Sequence, residues 1–192
     1  SYHINLLFDN PFYQSKKLKR KAFFLDRDGV LIEEKHYISD PKDVYLEKGV
    51  LEFFHHLYDL KIPIVIITNQ SGISRRFFNW QDYEKITERI IYLLGENNPI
   101  IGIFANGIAP DSSFKGWRKP SPEMINVAAN MLNIDLDNSF LICSLLSITF
   151  LLYSSTSLKL SKRYSAILFE RALLSCANRV LLRTAIFSED DI

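Results

Sequence analysis

Apolar residues in this chain fall into short continuous runs that alternate with stretches of helical spacing, a pattern that holds as far as Ile142. Lys21 to Asp26 reads K-A-F-F-L-D, an apolar run ending in a carboxylate, which predicts a buried parallel strand. Val50 to Leu60 predicts a helix with Leu51, Phe54 and Leu57 or Tyr58 on one face. Ile62 to Thr68, I-P-I-V-I-I-T, is a β-branched run and predicts a second strand. Trp80 to Leu94 predicts an amphipathic helix, with Tyr83, Ile86 and Ile90 as a core stripe and Gly95 as its stop. Ile100 to Phe104 is a third strand candidate. Ser121-Pro122-Glu123 predicts a helix start, with Ser as cap and Pro at the first position, and the helix runs to about Leu132. Phe140 to Leu146 and Arg179 to Leu182 supply a fourth and a fifth strand. Residues 1–20 show no clear period and read as an N-terminal arm.

Strands that alternate with helices imply a parallel sheet with right-handed crossovers and helices on both faces. The expected fold class is therefore α/β, a three-layer Rossmann-like sheet. Ligands in such sheets bind at the carboxyl ends of the strands, which puts Asp26, Thr68 and the segment after Phe104 along one edge. The C-terminal third is atypical, with no glycine after Gly116.

Length and composition refine this. The 192 residues, 47% hydrophobic and 23% charged, suit a single domain, taken as 21–188. A formal net charge of +1 gives no field to draw nucleic acid or an acidic membrane. The cluster Lys16, Lys17, Lys19, Arg20, Lys21 reads as a solvated tail rather than a nucleic-acid arm. Two cysteines, Cys143 and Cys176, lack metal-type spacing and point to a reducing, cytoplasmic compartment. The first residues do not carry a signal-peptide pattern: their short apolar stretch meets Asp9. Ser139 to Leu158 is free of charge and near the ~20 residues of a membrane span. Its many Ser and Thr positions favour a buried strand and a loop over a membrane anchor.

Three segments carry chemistry. In F-L-D-R-D-G-V, Phe24 to Val30, two carboxylates straddle a strand end and Gly29 permits a sharp departure. Asp26 can attack phosphorus as a carboxylate nucleophile, and Asp28 can protonate a leaving oxygen and then activate water. Two negative charges facing a phosphate call for a divalent cation, and Mg²⁺ suits carboxylates, phosphate and water. A solvated Asp-Gly turn uses the same residues. In T-N-Q-S-G, Thr68 to Gly72, hydroxyl, amide and backbone N–H groups can hold phosphate oxygens, as can an ordinary polar loop. In W-R-K-P-S-P, Trp117 to Pro122, Lys119 offers a compact charge and Arg118 a planar fork for a second anionic group. The helix after Ser121 adds its dipole. A basic loop before a helix is the plain alternative.

Taken in order, F-L-D-R-D-G-V, H-Y-I (36–38), Gly49-Val50, T-N-Q-S-G-I and R-K-P-S-P-E-M resemble the haloacid dehalogenase-like phosphatases. Within them the resemblance is to the heptose-bisphosphate and histidinol-phosphate phosphatase group, and it runs from about Ala22 to Ile142. It implies a cytoplasmic, Mg²⁺-dependent hydrolase of carbohydrate metabolism that removes phosphate from a small phosphorylated metabolite. D-glycero-D-manno-heptose 1,7-bisphosphate is the first expectation and histidinol phosphate the second. Asp26 would be nucleophile, Asp28 acid/base, Thr68 with Asn69 on the phosphoryl group, and Lys119 the charge stabiliser. Arg27, Asn69, Gln70, Ser71 and Arg118 would bind substrate, and Asp26 with the Asp28 carbonyl would hold Mg²⁺. His36, in the loop after the first strand, is a further candidate contact. A monomer is expected.

Two departures accompany the resemblance. Ala105 to Trp117 has neither Cys nor His, so the zinc loop of many group members has no ligands here, and no zinc is expected. The Gly-Asp and following Asp expected after the fourth strand are replaced by Cys143-Ser144-Leu145-Leu146, and between Asp137 and Glu189 the one acid is Glu170. Residues 143–166 thus read as an insertion or a degenerate segment, with Ser161 to Ala166 a remnant of the motif; a fault in the sequence would give the same text. Two rivals follow: an impaired member that binds phosphosugars or a partner without turnover, and a membrane-associated protein.

Overall fold

The structure, a computed structural model, describes residues 1–13, 19–113 and 116–143. The expectations for Lys16, Lys17, Ser144–Leu146, Ser161–Ala166, Glu170, Cys176 and Arg179–Leu182 lie outside these residues.

Among the described residues the central sheet has five strands: β1 (Tyr2–Leu6), β2 (Phe23–Leu25), β3 (Ile64–Asn69), β4 (Ile100–Asn106) and β5 (Phe140–Ile142), in the order β1-β4-β3-β2-β5. β5, β2, β3 and β4 are parallel, while β1 pairs antiparallel with β4. The chain thus moves outward from β2 on one side and returns to its other side with β5. That reversal puts a switch point beside the carboxyl end of β2, where open α/β sheets bind ligands.

Among the described residues, three α-helices supply the outer layers. α1 (Val50–Asp59) and α2 (Trp80–Leu94) cover one face: Phe54, Leu57, Ile86 and Ile90 pack with Leu25, Ile64, Ile66 and Ile103. α3 (Glu123–Leu132) covers the other, where Met124, Ala128 and Leu132 meet Phe24, Val65, Ile67 and Phe104. Alternation along β2 and β3 deals successive side chains to the two layers. In β4 the register slips, Ile64 pairing with Ile100 but Val65 with Gly102. The extra residue lets Ile100 and Ile103 share one face while Ile101 and Phe104 share the other, as a bulge does.

The residues read as an arm include an edge strand. Its alternation is weak because an edge strand is covered only in part: Tyr2 and Ile4 remain more than a third exposed, while Leu6 packs against the cluster under α3. In α1, Leu51 is exposed and Val50 takes its place in the core, a rotation of the buried stripe by one residue. α2 spans the predicted residues. The Asn79 side chain caps it and Asp82 completes the capping box, while Gly95 ends it. At α3 the cap position falls on Pro122 rather than Ser121; the Ser121 hydroxyl accepts the Glu123 N–H at 3.3 Å from one position earlier. Among the described residues, no helix is long and apolar enough to cross a membrane.

Candidate active site

β2 ends at Leu25, and the Asp26 N–H continues its pairing by donating to Ile142 O at 2.9 Å. Asp26 is therefore held by backbone at the switch point, 6% exposed. The chain then turns sharply. The Arg27 carbonyl accepts from Leu31 and Ile32, and Gly29 takes φ +69°, a region costly to a residue with a Cβ. Glu33 to Tyr45 leaves and rejoins through Glu33 N to Tyr45 O and Glu47 N to Leu31 O. This excursion carries His36 and Tyr37.

Lys119 arrives from the loop before α3. Its Nζ lies 2.6 Å from Asp26 Oδ2 and donates to Ile67 O at 3.1 Å. The other Asp26 oxygen accepts the Arg27 N–H at 2.9 Å. The Lys119 backbone is gripped by one side chain: Asn69 Nδ2 donates to Lys119 O at 3.2 Å, and Lys119 N donates to Asn69 Oδ1 at 3.1 Å. Asn106, fully buried, donates to the same Asn69 oxygen at 3.4 Å, and its carbonyl accepts the Gln70 N–H at 2.7 Å.

Asp28 is engaged from the inner side. Arg27 Nη2 and Nε donate to its Oδ1 at 2.8 and 3.1 Å. Gln70 Nε2 reaches its Oδ2 at 2.8 Å, and the Thr68 hydroxyl stands 3.4 Å from the same oxygen. Burial pushes the Asp28 carboxyl up, but the charge and hydrogen bonds of Arg27, with Gln70 and Lys119, more than offset this and hold it below its usual value. Arg27 and Gln70 were expected on substrate. Each is 4% exposed with its polar end turned to Asp28, because Arg27 lies inward over the Tyr83 ring, 5.6 Å from its centroid. Thr68 is fully buried, and its hydroxyl accepts from Gln70 Nε2 at 2.7 Å. Asn69 serves Lys119, as above. Ser71 is half-buried and starts the turn in which its carbonyl accepts the Arg75 N–H.

Arg118 is half-buried and donates to Ile108 O at 2.9 Å. Burial first, then the nearby positive charge of Arg75, lowers its pKa. Arg75 donates to the Tyr37 hydroxyl at 2.7 Å, and the Tyr37 ring packs 4.5 Å from that of Phe77. His36 is exposed beside Tyr37. The residues that sequence reasoning did not single out are Asn106 and Arg75, and Tyr37 entered only within the H-Y-I motif, without a role. Asn106 had a signal: a polar residue closing an apolar run, as Asp26 and Asn69 do. Arg75 and Tyr37 sit in loops whose proximity arises only on folding.

At the end of β5, where acids were expected, stands Cys143, 1% exposed. Burial pushes its thiol up to about 12, with the Asp26 charge adding and Lys119 opposing. Among the described residues no group of three or more His, Cys, Asp or Glu converges as a metal cage. Two oxygen donors do lie together in sequence at the switch point. One is the Asp26 carboxylate. The other is the Asp28 carbonyl, which the two hydrogen bonds of the Asp28–Ile32 bridge leave out.

The profile of the polynucleotide kinase 3 phosphatase family matches residues 21–143. The chain belongs to that family of phosphatases. A D-glycero-beta-D-manno-heptose-1,7-bisphosphate 7-phosphatase of Helicobacter pylori is 38% identical to this family member over 126 residues, 64% of this chain and 71% of the relative. A D-glycero-alpha-D-manno-heptose-1,7-bisphosphate 7-phosphatase of Photorhabdus laumondii is 35% identical, covering 65% and 72%. Among solved structures, a HAD-like phosphatase of Mesorhizobium loti superposes with a TM-score of 0.69 at 28% identity, over 78% of this chain and 73% of that one. The D,D-heptose 1,7-bisphosphate phosphatase of B. bronchiseptica, complexed with magnesium and phosphate, gives 0.55 at 28% identity, over 60% and 65%. The fold of this phosphatase is thus the haloacid dehalogenase-like one.

Proposed function

We propose that this phosphatase removes one phosphate from D-glycero-D-manno-heptose 1,7-bisphosphate through a phospho-Asp26 intermediate. The observation that carries the reading is the buried Asp26–Lys119 pair at the carboxyl end of β2. A carboxylate fixed by backbone on one oxygen and by an ammonium on the other is a preorganised nucleophile beside a phosphate-binding charge.

In this reading Asp28, a carboxylate at rest, takes up a proton as the negatively charged substrate enters beside it, and gives that proton to the departing sugar oxygen while Asp26 attacks phosphorus. Water then attacks the phospho-Asp26, returning a proton to Asp28 and releasing phosphate. Lys119 faces charge on the transferring group, and the Asn69 grip keeps it there. Mg²⁺ commonly takes one or two carboxylates plus substrate oxygens and waters. The Asp26 carboxylate and the Asp28 carbonyl fit as the protein's share of such a site. The ion would offset the repulsion between carboxylate and phosphate.

Arg118 and Arg75 lie close enough that one charge depresses the other. Two guanidiniums beside the Tyr37 hydroxyl favour a second anionic group, hence a bisphosphate over histidinol phosphate. The names of the similar enzymes support the same substrate. A cytoplasmic monomer acting on a small metabolite, with neither nucleic acid nor membrane as partner, completes the proposal.

Cys143 at the end of β5 favours a second reading, an impaired member that binds phosphosugars without turnover. Phosphate release separates the two. It is measured with Mg²⁺ and with EDTA on the heptose bisphosphate, histidinol phosphate and an aryl phosphate, beside Asp26→Asn. Mg²⁺-dependent release that Asp26→Asn abolishes is expected. Absence of release from every substrate by folded protein would leave the binding module.

A further inference from the structure

Asp28 is the one member of the proposed reaction pair whose side chain is a quarter exposed, and the groups that hold it come from the protein side alone. Arg27 and Gln70 form a closed ring with it. Arg27 Nη2 bridges Asp28 Oδ1 at 2.8 Å and Gln70 Oε1 at 2.9 Å, and Gln70 Nε2 returns to Asp28 Oδ2 at 2.8 Å. The bond from Arg27 fixes which end of the Gln70 amide meets Asp28. The backbone of Gln70 is tied to Asn106 O, on the neighbouring strand. A substrate at the mouth has no access to either side chain, since both are 4% exposed. Their polar atoms nevertheless determine the rotation of the Asp28 carboxyl.

We propose that Arg27 and Gln70 are positioning residues that act on phosphoryl transfer through Asp28, turning its carboxyl toward the oxygen of the leaving group. This rests on the phosphatase reading above and deepens it. In the first step the Asp26 oxygen–phosphorus bond forms, the phosphorus–sugar oxygen bond breaks, and the proton that Asp28 took up from solvent as the charged substrate entered passes to that oxygen. A sugar alkoxide is a poor leaving group and needs the proton. A nitrophenolate is stable without it. Misdirecting Asp28 therefore slows the first step on a sugar phosphate and spares it on an aryl phosphate. A contact that merely held the fold together would slow both.

The test is rapid-quench kinetics of Gln70→Met and Arg27→Lys in the full chain with Mg²⁺. The heptose bisphosphate is compared with p-nitrophenyl phosphate. Gln70→Met keeps the volume and loses the hydrogen bonds of the amide to Arg27, Asp28 and Thr68; Arg27→Lys keeps the charge and loses the fork. Either variant is expected to lower kcat on the sugar phosphate by about 10- to 100-fold at little changed KM. The first-turnover burst of nitrophenolate should fall far less. Equal losses on both substrates, or a raised KM at unchanged kcat, would overturn the inference while leaving the phosphatase reading intact. Should one variant fail to fold, the other decides alone. Absence of turnover by the unaltered chain would overturn the phosphatase reading and this inference with it.

Discussion

Lys119 Nζ lies 2.6 Å from Asp26 Oδ2, with side-chain exposures of 6% and 9% respectively. Removing one partner of such a pair leaves a charge stranded in a poorly solvated place. Lys119→Met should therefore destabilise the fold by about 3–5 kcal/mol and abolish phosphate release. Combining it with Asp26→Asn should restore part of the stability and none of the activity. Urea unfolding of the three variants checks this; a double variant no more stable than Lys119→Met would contradict it.

Asn69 holds the backbone of Lys119 from both sides. Asn69→Ala should cost about 1–3 kcal/mol, since it strands a buried N–H and leaves a carbonyl without its donor. The position of the ammonium should loosen as well, so kcat on the sugar phosphate should fall more than KM rises. Steady-state kinetics and thermal unfolding read the two effects separately.

Tyr83 carries a buried hydroxyl with no hydrogen bond among the described residues; the nearby Thr87 hydroxyl donates to the Tyr83 backbone carbonyl at 2.9 Å. Tyr83→Phe keeps the ring under Arg27 and should stabilise the fold by about 1 kcal/mol at neutral pH. Burial pushes the Tyr83 hydroxyl up to about 12 from 10.0. The unfolded chain therefore releases this proton first as pH rises, and the stability of the unaltered protein declines through that window. The advantage of Tyr83→Phe should grow by about 1.4 kcal/mol per pH unit across it. Parallel stability curves for the two proteins would refute the assignment.

Gly72 follows the phosphate-loop candidates, and a Cβ there would lie 2.1 Å from Phe78 Cε1. Phe78 is buried with Tyr83 and Ala105, so the ring has little room to retreat. Gly72→Ala should destabilise by about 1–3 kcal/mol and displace Gln70 two residues earlier. A melting temperature equal to that of the unaltered protein would show that the ring moves freely.

The sequence by itself determined the parallel strands β2, β3 and β4, the three helices and the reactive residue types. The run K-A-F-F-L-D placed Asp26 at a strand end. The Trp80–Leu94 period and the Gly95 after it marked α2 within its own residues, because helical burial and a glycine stop are local. The motifs alone carry the resemblance to the phosphatases, because residue type and order are properties of the sequence.

Tertiary structure decided direction and partnership. Tyr2–Leu6 becomes a strand because β4 presents an edge for it, a condition set far along the chain. Leu51 and Val50 exchange places because the face of α1 is chosen by the sheet it lies on. Arg27 and Gln70 have residue types that suit a phosphate, and neither is open to one. The Tyr83 ring and Asn106, from other segments, turn them inward to Asp28. Periodicity states which residues are apolar, but where a polar side chain points depends on which distant groups satisfy it once water is excluded.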